Sequence, residues 1–213
     1  MLYLRYIISI LCIIFINREL IYIMEQPYTS ETSFEKCNYT VKPLDKGEYE
    51  KCTFAHCNFS TGNISDIVFI DCVFDTCEMS NAKMDNTNFR DASFKNCKML
   101  GMHFENCNQF VLSVAFDNCE LDHSSFFKVK LKKTNFLNSR LHEVDFTECD
   151  LTGALFENCD MQRACFSKTN LEKTDFRTSY NYSFDPELNR LKKTLFSASG
   201  ALGLLEKYDI IIK

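Results

Sequence analysis

Residues 135–160 read NFLNSRLHEVDFTECDLTGALFENCD, and within them Phe136, Leu141, Phe146, Leu151 and Phe156 recur at a strict interval of five. Carried outward, the same frame takes in Phe116, Leu121, Phe126 and Leu131 on one side and Met161, Phe166, Leu171 and Phe176 on the other, without a miss. An earlier run with the same interval goes from Phe34 through Phe54, Phe74 and Phe94 to Phe104. A two-residue slip inside Asn108-Gln109-Phe110-Val111-Leu112 separates the two runs. Neither common element accommodates an interval of five. An α-helix advancing about 100° per residue would smear every fifth side chain round its circumference, and a flat strand would send successive large residues to opposite faces. A chain that turns one corner per repeat points each fifth residue at a common axis, and stacked coils then satisfy the backbone hydrogen bonds.

The spacing also sets the size of the coil. At intervals of 20, Phe34, Phe54, Phe74 and Phe94 align, as do Phe116, Phe136, Phe156, Phe176 and Phe196, whereas an interval of 15 would place Leu131 on Phe116. Four repeats per coil follow. The expected fold class is therefore an all-β solenoid, a right-handed quadrilateral β-helix of about seven coils with a short helical C-terminal cap. Its interior ladder includes Phe54, Phe74, Phe94, Phe116, Phe136, Phe156 and Phe176. Residues 31–180 form the repeat, with the slip near 105–115, while residues 1–30 and 181–213 lie outside it.

Two residues before each ladder position stands a small residue, such as Ala82, Ala154, Ser139 or Thr169, and often a cysteine: Cys37, Cys52, Cys57, Cys72, Cys77, Cys97, Cys107, Cys119, Cys149 and Cys159 all fall here. A free cysteine is a small, easily buried residue. These spacings are multiples of five rather than the short pairs of zinc ligands, and stacked cysteines in register point the same way rather than at each other. So many unpaired thiols suggest a reducing compartment.

Chemistry is sparse. The 213 residues include 20 Phe and 12 Cys but 6 Gly and no Trp, with a net charge of −5, a balance that argues against direct nucleic-acid binding. His56, His103, His123 and His142 sit at outward or corner positions without a nucleophile and orienting carboxylate nearby. There is no glycine-rich phosphate loop and no metal-ligand motif. No catalytic residue, cofactor or metal is expected. At intervals of 20 the surface charges alternate in sign, as in Glu120, Arg140 and Asp160, or Lys128, Glu148 and Lys168, which reads as cross-strand ion pairing. Lys128, Lys130, Lys132 and Lys133 make the one local basic run and read as a solvated face.

The first 23 residues have their own character. After Arg5, the apolar run Tyr6 to Ile16 is too short for a membrane span of roughly 20 residues but matches a signal-peptide core of roughly 7–15. Three readings stand: translation from Met24, giving a cytoplasmic protein; export; or membrane anchoring through residues 1–23.

A small residue, one polar residue and then Leu or Phe recur every five, as in Ala92-Ser93-Phe94 and Cys149-Asp150-Leu151, and this pattern resembles the pentapeptide-repeat family over some 145 residues. The Phe-rich interior, the single slip and the tail Tyr180-Asn181-Tyr182-Ser183-Phe184-Asp185-Pro186 resemble its quinolone-resistance (Qnr) branch. That resemblance implies a dimeric rod, joined through the C-terminal ends, that binds the type II topoisomerases DNA gyrase and topoisomerase IV as a DNA mimic and protects them from quinolones. The acids Asp117, Asp145, Glu148, Asp150, Glu157, Asp160 and Asp175 are the candidate partner surface. The alternatives are a protein-interaction scaffold for another partner and an exported surface protein. The resemblance also implies that some members carry long loops projecting from the coil that matter for protection; here only Asn106 to Val114 has room to bulge.

The C-terminal segment is expected to cap the open end of the solenoid. Asp185-Pro186 reads as an N-cap with proline at the first helical position, Gly200 to Lys207 as a short apolar-faced helix, and Ile210 to Ile212 as a strand. Leu202, Leu204, Leu205, Ile210 and Ile212 are the candidate contacts of a tail-to-tail homodimer.

Overall fold

A computed structural model describes residues 27–110 and 112–211 of the chain, so the readings of residues 1–23 and of Ile212 lie outside the described part. Short strands and single backbone bridges wind into a parallel β-solenoid. β1 (Tyr28–Ser30), β3 (Glu48–Glu50), β5 (Val68–Ile70) and β7 (Asn88–Arg90) form one sheet. β2 (Ser33–Glu35), β4 (Thr53–Ala55), β6 (Val73–Asp75), β8 (Ala92–Lys95), β9 (Val114–Asp117), β10 (Asn135–Leu137) and β11 (Leu155–Glu157) form a longer one. The register is Phe34↔Phe54, Phe54↔Phe74 and Phe74↔Phe94, then Phe94↔Phe116, Phe116↔Phe136 and Phe136↔Phe156. Each coil thus takes 20 residues, except the coil from Phe94 to Phe116, which holds the slip. The other faces are joined by bridges such as Asn58↔Glu78, Ser125↔Asp145 and Lys130↔Asp150. Six turns separate β2 from β11, against the seven coils that the spacing suggests, because past β11 the pairing thins to single bridges as far as Asp175↔Leu195.

The core is a stack of rings. Phe54, Phe74, Phe94, Phe136, Phe156 and Phe176 are fully buried and Phe116 nearly so. Centroids along the column lie 4.9 Å apart for Phe54–Phe74, 5.1 Å for Phe116–Phe136 and 4.7 Å for Phe136–Phe156. Rings of a second column meet these edge-on, as Phe146 does Phe136 at 5.9 Å and 87°, the arrangement that ring quadrupoles favour.

The corners are made by left-handed backbone. Two residues after nearly every ladder residue φ is about +50 to +60°, and 26 described residues other than glycine take positive φ, among them His56, Thr61, Asn138, Glu148 and Arg163. An isolated residue would resist this conformation. Here neighbouring coils hold it: the left-handed Asn118 donates its amide to the carbonyl of Leu137 at 2.9 Å, and its side chain to Asn96 at 2.8 Å.

Past the last full coil, Asp185 accepts from the amide of Glu187 at 2.8 Å and caps the 3₁₀ turn Pro186–Leu188. The short helical cap consists of two 3₁₀ turns, Gly200–Leu204 and Glu206–Tyr208. Ser197 Oγ accepts from the amide of Gly200 at 3.0 Å. Gly200 and Gly203 lie so close to Tyr182 that a Cβ would sit 2.0 Å from its hydroxyl and 2.1 Å from its carbonyl, respectively. Backbone contact therefore fixes the cap more than an apolar helical face does. Ile210 and Ile211 are outside any strand.

Candidate interaction surfaces

The outer surface consists of the residues flanking each ladder position. Stacking at intervals of 20 places the seven acids singled out above on all four faces. Asp117, Glu157 and Asp175 flank the Phe116–Phe156 face; Asp160 bridges Arg140 on the next, Asp145 bridges Ser125 on the third and Asp150 bridges Lys130 on the fourth, with Glu148 at the corner between the last two. No single acidic face results. Most of the seven are also engaged. Asp175 lies 2.7 Å from Arg177, Asp150 3.2 Å from Lys132 and Glu148 3.7 Å from Lys128, and Asp117 accepts from Asn138 at 3.0 Å. Glu157 is exposed.

Alternating columns elsewhere close into ion pairs. Arg140 contacts Glu120 at 3.0 Å and Asp122 at 2.8 Å, and Arg163 pairs with Glu143. His103 lies 2.9 Å from Glu105, His123 3.3 Å from Glu143, and His142 2.9 Å from Asp160. Burial works against ionisation of Asp160, but the contacts from His142 and Asn181 outweigh it and hold the carboxyl below its ordinary range. Such exposed pairs contribute up to about 1 kcal/mol each, so their effect is to neutralise the faces they occupy. Among the described residues no group of three or more His, Cys, Asp or Glu could hold a metal ion, and no helix is long and apolar enough to cross a membrane.

Two apolar features stand out. At the slip the coil bulges, Asn108 bonding Thr87 and Ser113 bonding Phe89, and Phe110 is 98% exposed while Leu112 packs partly against the core. At the C-terminal end Leu202 and Ile210 are exposed and Leu204 and Leu205 half-buried. Leu202, Leu205, Ile210, Tyr180 and Tyr182 line a cleft of about 740 Å³.

What the slot residues do was not visible in the sequence. They donate as well as fill space: Cys77 Sγ reaches the carbonyl of Phe54 at 3.2 Å and Thr169 Oγ1 that of Phe146 at 2.8 Å, each in the preceding coil. Smallness and hydrogen-bonding capacity coincide in Cys, Ser and Thr, so composition alone does not separate the two roles.

A family model described as "Pentapeptide repeat region" matches residues 48–110 and 111–180. No curated protein matches the chain in sequence. Among solved structures, a trypsin-treated form of QnrB1, described as a plasmid-mediated fluoroquinolone resistance protein, superposes with a TM-score of 0.53 at 19% identity, covering 88% of this chain and 98% of that one. Full-length QnrB1 gives 0.51 at 17%, covering 86% and 100%. HetL, a pentapeptide repeat protein involved in heterocyst differentiation regulation from the cyanobacterium Nostoc, gives 0.65 at 11%, covering 83% and 91%. At these identities the likeness is one of fold.

Proposed function

The chain belongs to the pentapeptide-repeat family, and on that premise we propose that it is a non-catalytic protein-binding rod, acting through its outer faces. The observation carrying this reading is the division of labour within each repeat: the ladder and slot residues are consumed by the core, leaving only the three outward positions free to vary and to meet a partner. Type II topoisomerases are the first partner to test, since QnrB1 is described as a fluoroquinolone resistance protein and its fold spans 88% of this chain. The scatter of the seven acids over four faces favours weak, salt-sensitive binding over close imitation of a duplex. Self-association through Leu202, Leu204, Leu205, Ile210 and Ile212 completes the reading, as does a reducing, cytoplasmic location suited to the free thiols.

The test is a gyrase supercoiling assay with residues 24–213, with and without ciprofloxacin, beside a direct binding measurement. Binding at tens of micromolar and low salt supports topoisomerase as the partner. No binding to gyrase or topoisomerase IV there leaves a rod for another protein.

A further inference from the structure

Coiling gathers charges that are far apart in the chain. Residues 130–133, 150–153, 170–173 and 190–193 lie one above another, joined by the bridges Lys130↔Asp150, Asp150↔Asn170 and Asn170↔Arg190 and by the hydrogen bond from Lys173 to the carbonyl of Lys192. This strip carries seven cations against two carboxylates, Asp150 and Glu172, a local charge of +5 on a chain of net −5. Lys132 is occupied with Asp150. The other six, Lys130, Lys133, Lys173, Arg190, Lys192 and Lys193, are exposed and form no ion pair among the described residues. The columns of Glu120, Arg140 and Asp160 or of Glu143 and Arg163 neutralise themselves, whereas this strip keeps an excess of cations over its two carboxylates. Only Lys173 and Lys193 stack as like charges on adjacent coils, which repel, while Lys130 beside Asp150 and Lys192 beside Glu172 form no ion pair among the described residues, so the excess positive charge stays uncompensated.

We propose that the strip is a docking surface for a short acidic segment of a protein partner. The proposal rests on the protein-binding reading and supplies the chemical class of that partner. Four coils spaced by about 4.8 Å make a strip roughly 14 Å long. On the same face nearer the N-terminus, Glu48, Glu50, Asp71 and Asp91 outnumber Lys51 and Arg90, so a polyanion continuing along the rod would run into repulsion. Asp175 borders the strip on the next face, and Glu157 lies at the far edge of that face. A ligand matching these limits is compact and anionic, as an acidic loop or tail is and a nucleic acid is not. Flexible lysines present point charges without fixed geometry, which favours fast, salt-sensitive association.

The probe is a fluorescein-labelled oligo-glutamate, with a single-stranded oligonucleotide of equal charge alongside, read by anisotropy against the full chain at low and moderate salt. The strip variant combines Lys133→Glu, Lys173→Glu and Lys192→Glu; a control with the same change of net charge combines Lys36→Glu, Lys83→Glu and Lys95→Glu on other parts of the surface. Circular dichroism establishes that both fold. Oligo-glutamate binding should weaken by about tenfold or more in the strip variant and by less than about twofold in the control. Absence of oligo-glutamate binding, equal loss in both variants, or tighter binding of the oligonucleotide would overturn the proposal. Gyrase binding that survives in the strip variant would leave the rod reading intact, and this surface would still stand or fall on the oligo-glutamate result.

Discussion

The corner that follows the long sheet and most corners on the remaining faces are closed by different bonds, Met102 and Thr169 being exceptions that donate to Ser124 Oγ and Asn189 Oδ1 of the next coil. After Leu121, Phe126, Phe146 and Leu151 the slot residue's amide returns to the ladder residue's own carbonyl, Ser124 to Leu121 at 3.0 Å, Val129 to Phe126 at 3.0 Å, Cys149 to Phe146 at 3.1 Å and Ala154 to Leu151 at 2.9 Å. After the Phe column of the long sheet the slot amide instead meets the slot side chain one coil on: Cys77 donates to Cys97 Sγ at 3.4 Å, Cys119 to Ser139 Oγ at 3.0 Å and Cys159 to Ser179 Oγ at 3.1 Å. The composition follows. Closed corners accept Ala82, Val129, Ala154 and Ala164, while the open corner carries Cys57, Cys77, Cys97, Cys119, Ser139 and Cys159, each with an acceptor atom, and Ser179 ends the column, its Oγ accepting from Cys159 while its own amide closes on Phe176. The cysteines of this column are therefore there for their sulfur as well as their size. An alanine would leave a buried amide of the preceding coil without a partner.

The largest effect comes from the ladder that both corners enclose. Phe136→Ala should cost about 3–5 kcal/mol and Leu151→Ala about 2–5 kcal/mol in urea melts, since both side chains are fully buried. Lys130→Ala, on the exposed strip, should cost less than about 1 kcal/mol. Equal costs for Phe136→Ala and Lys130→Ala would undo the division into inside and outside.

Next in size is the test of the corners themselves. Ser139→Ala should cost about 1–3 kcal/mol by orphaning the Cys119 amide, whereas Ser139→Cys, which restores an acceptor, should recover most of the loss. At the closed corner, Ala154→Ser should change stability by less than about 1 kcal/mol. If Ser139→Ala proves as mild as Ala154→Ser, the amide has another outlet and the two corners are equivalent.

The open corner should also respond to alkali. Burial pushes the thiols of Cys57 and Cys159 up to about 11 from an ordinary value of 9.0. A raised folded-state value means that the stabilisation is complete below about pH 9 and is lost as pH rises towards 11. Tyr49, raised by burial from 10.0 to about 12, adds its own loss only above pH 10. Urea midpoints measured between pH 8 and pH 10 should therefore fall, and fall less in Cys159→Ser. An unchanged pH profile in that variant would place the alkaline loss elsewhere.

Much of this architecture was legible because the interval of five is written in single residue types: Phe136 and Phe156 announce both the ladder and the coil of four repeats. The acceptor role of the slot was not, since Ser139 and Cys159 are small whichever duty they perform. The left-handed corners were hidden for a related reason. Glycine usually marks positive φ, yet Glu148, Lys168 and Arg163 adopt it here because the stacked coils impose it. The basic strip needed the coil length before Lys133 and Lys193 could be placed in one column, three intervals of 20 apart, as Lys130 is with Arg190 and Lys132 with Lys192. The cap was the least legible part, because what shapes it is the approach of Gly200 and Gly203 to Tyr182, a contact with no period.

The smallest effect tests the closed corner from its outer side. Ser60 and Thr61 stand between Phe59 and Gly62, whose amide closes the turn on the Phe59 carbonyl at 2.8 Å, and Thr61 has φ of 53°. A β-branched residue is the least suited to that conformation, while asparagine adopts it readily. Asn81 occupies the equivalent corner in the next coil with φ of 55°, so the site accommodates an amide side chain. Thr61→Asn should therefore stabilise the protein by about 0.5–1 kcal/mol, seen as a small rise in the urea midpoint with an unchanged slope. Thr61→Gly relieves the same strain but loosens the unfolded chain, so it should gain less than Thr61→Asn. A loss of stability in both variants would mean that the threonine is held by its surroundings at no cost, and that the left-handed corners carry no strain to release.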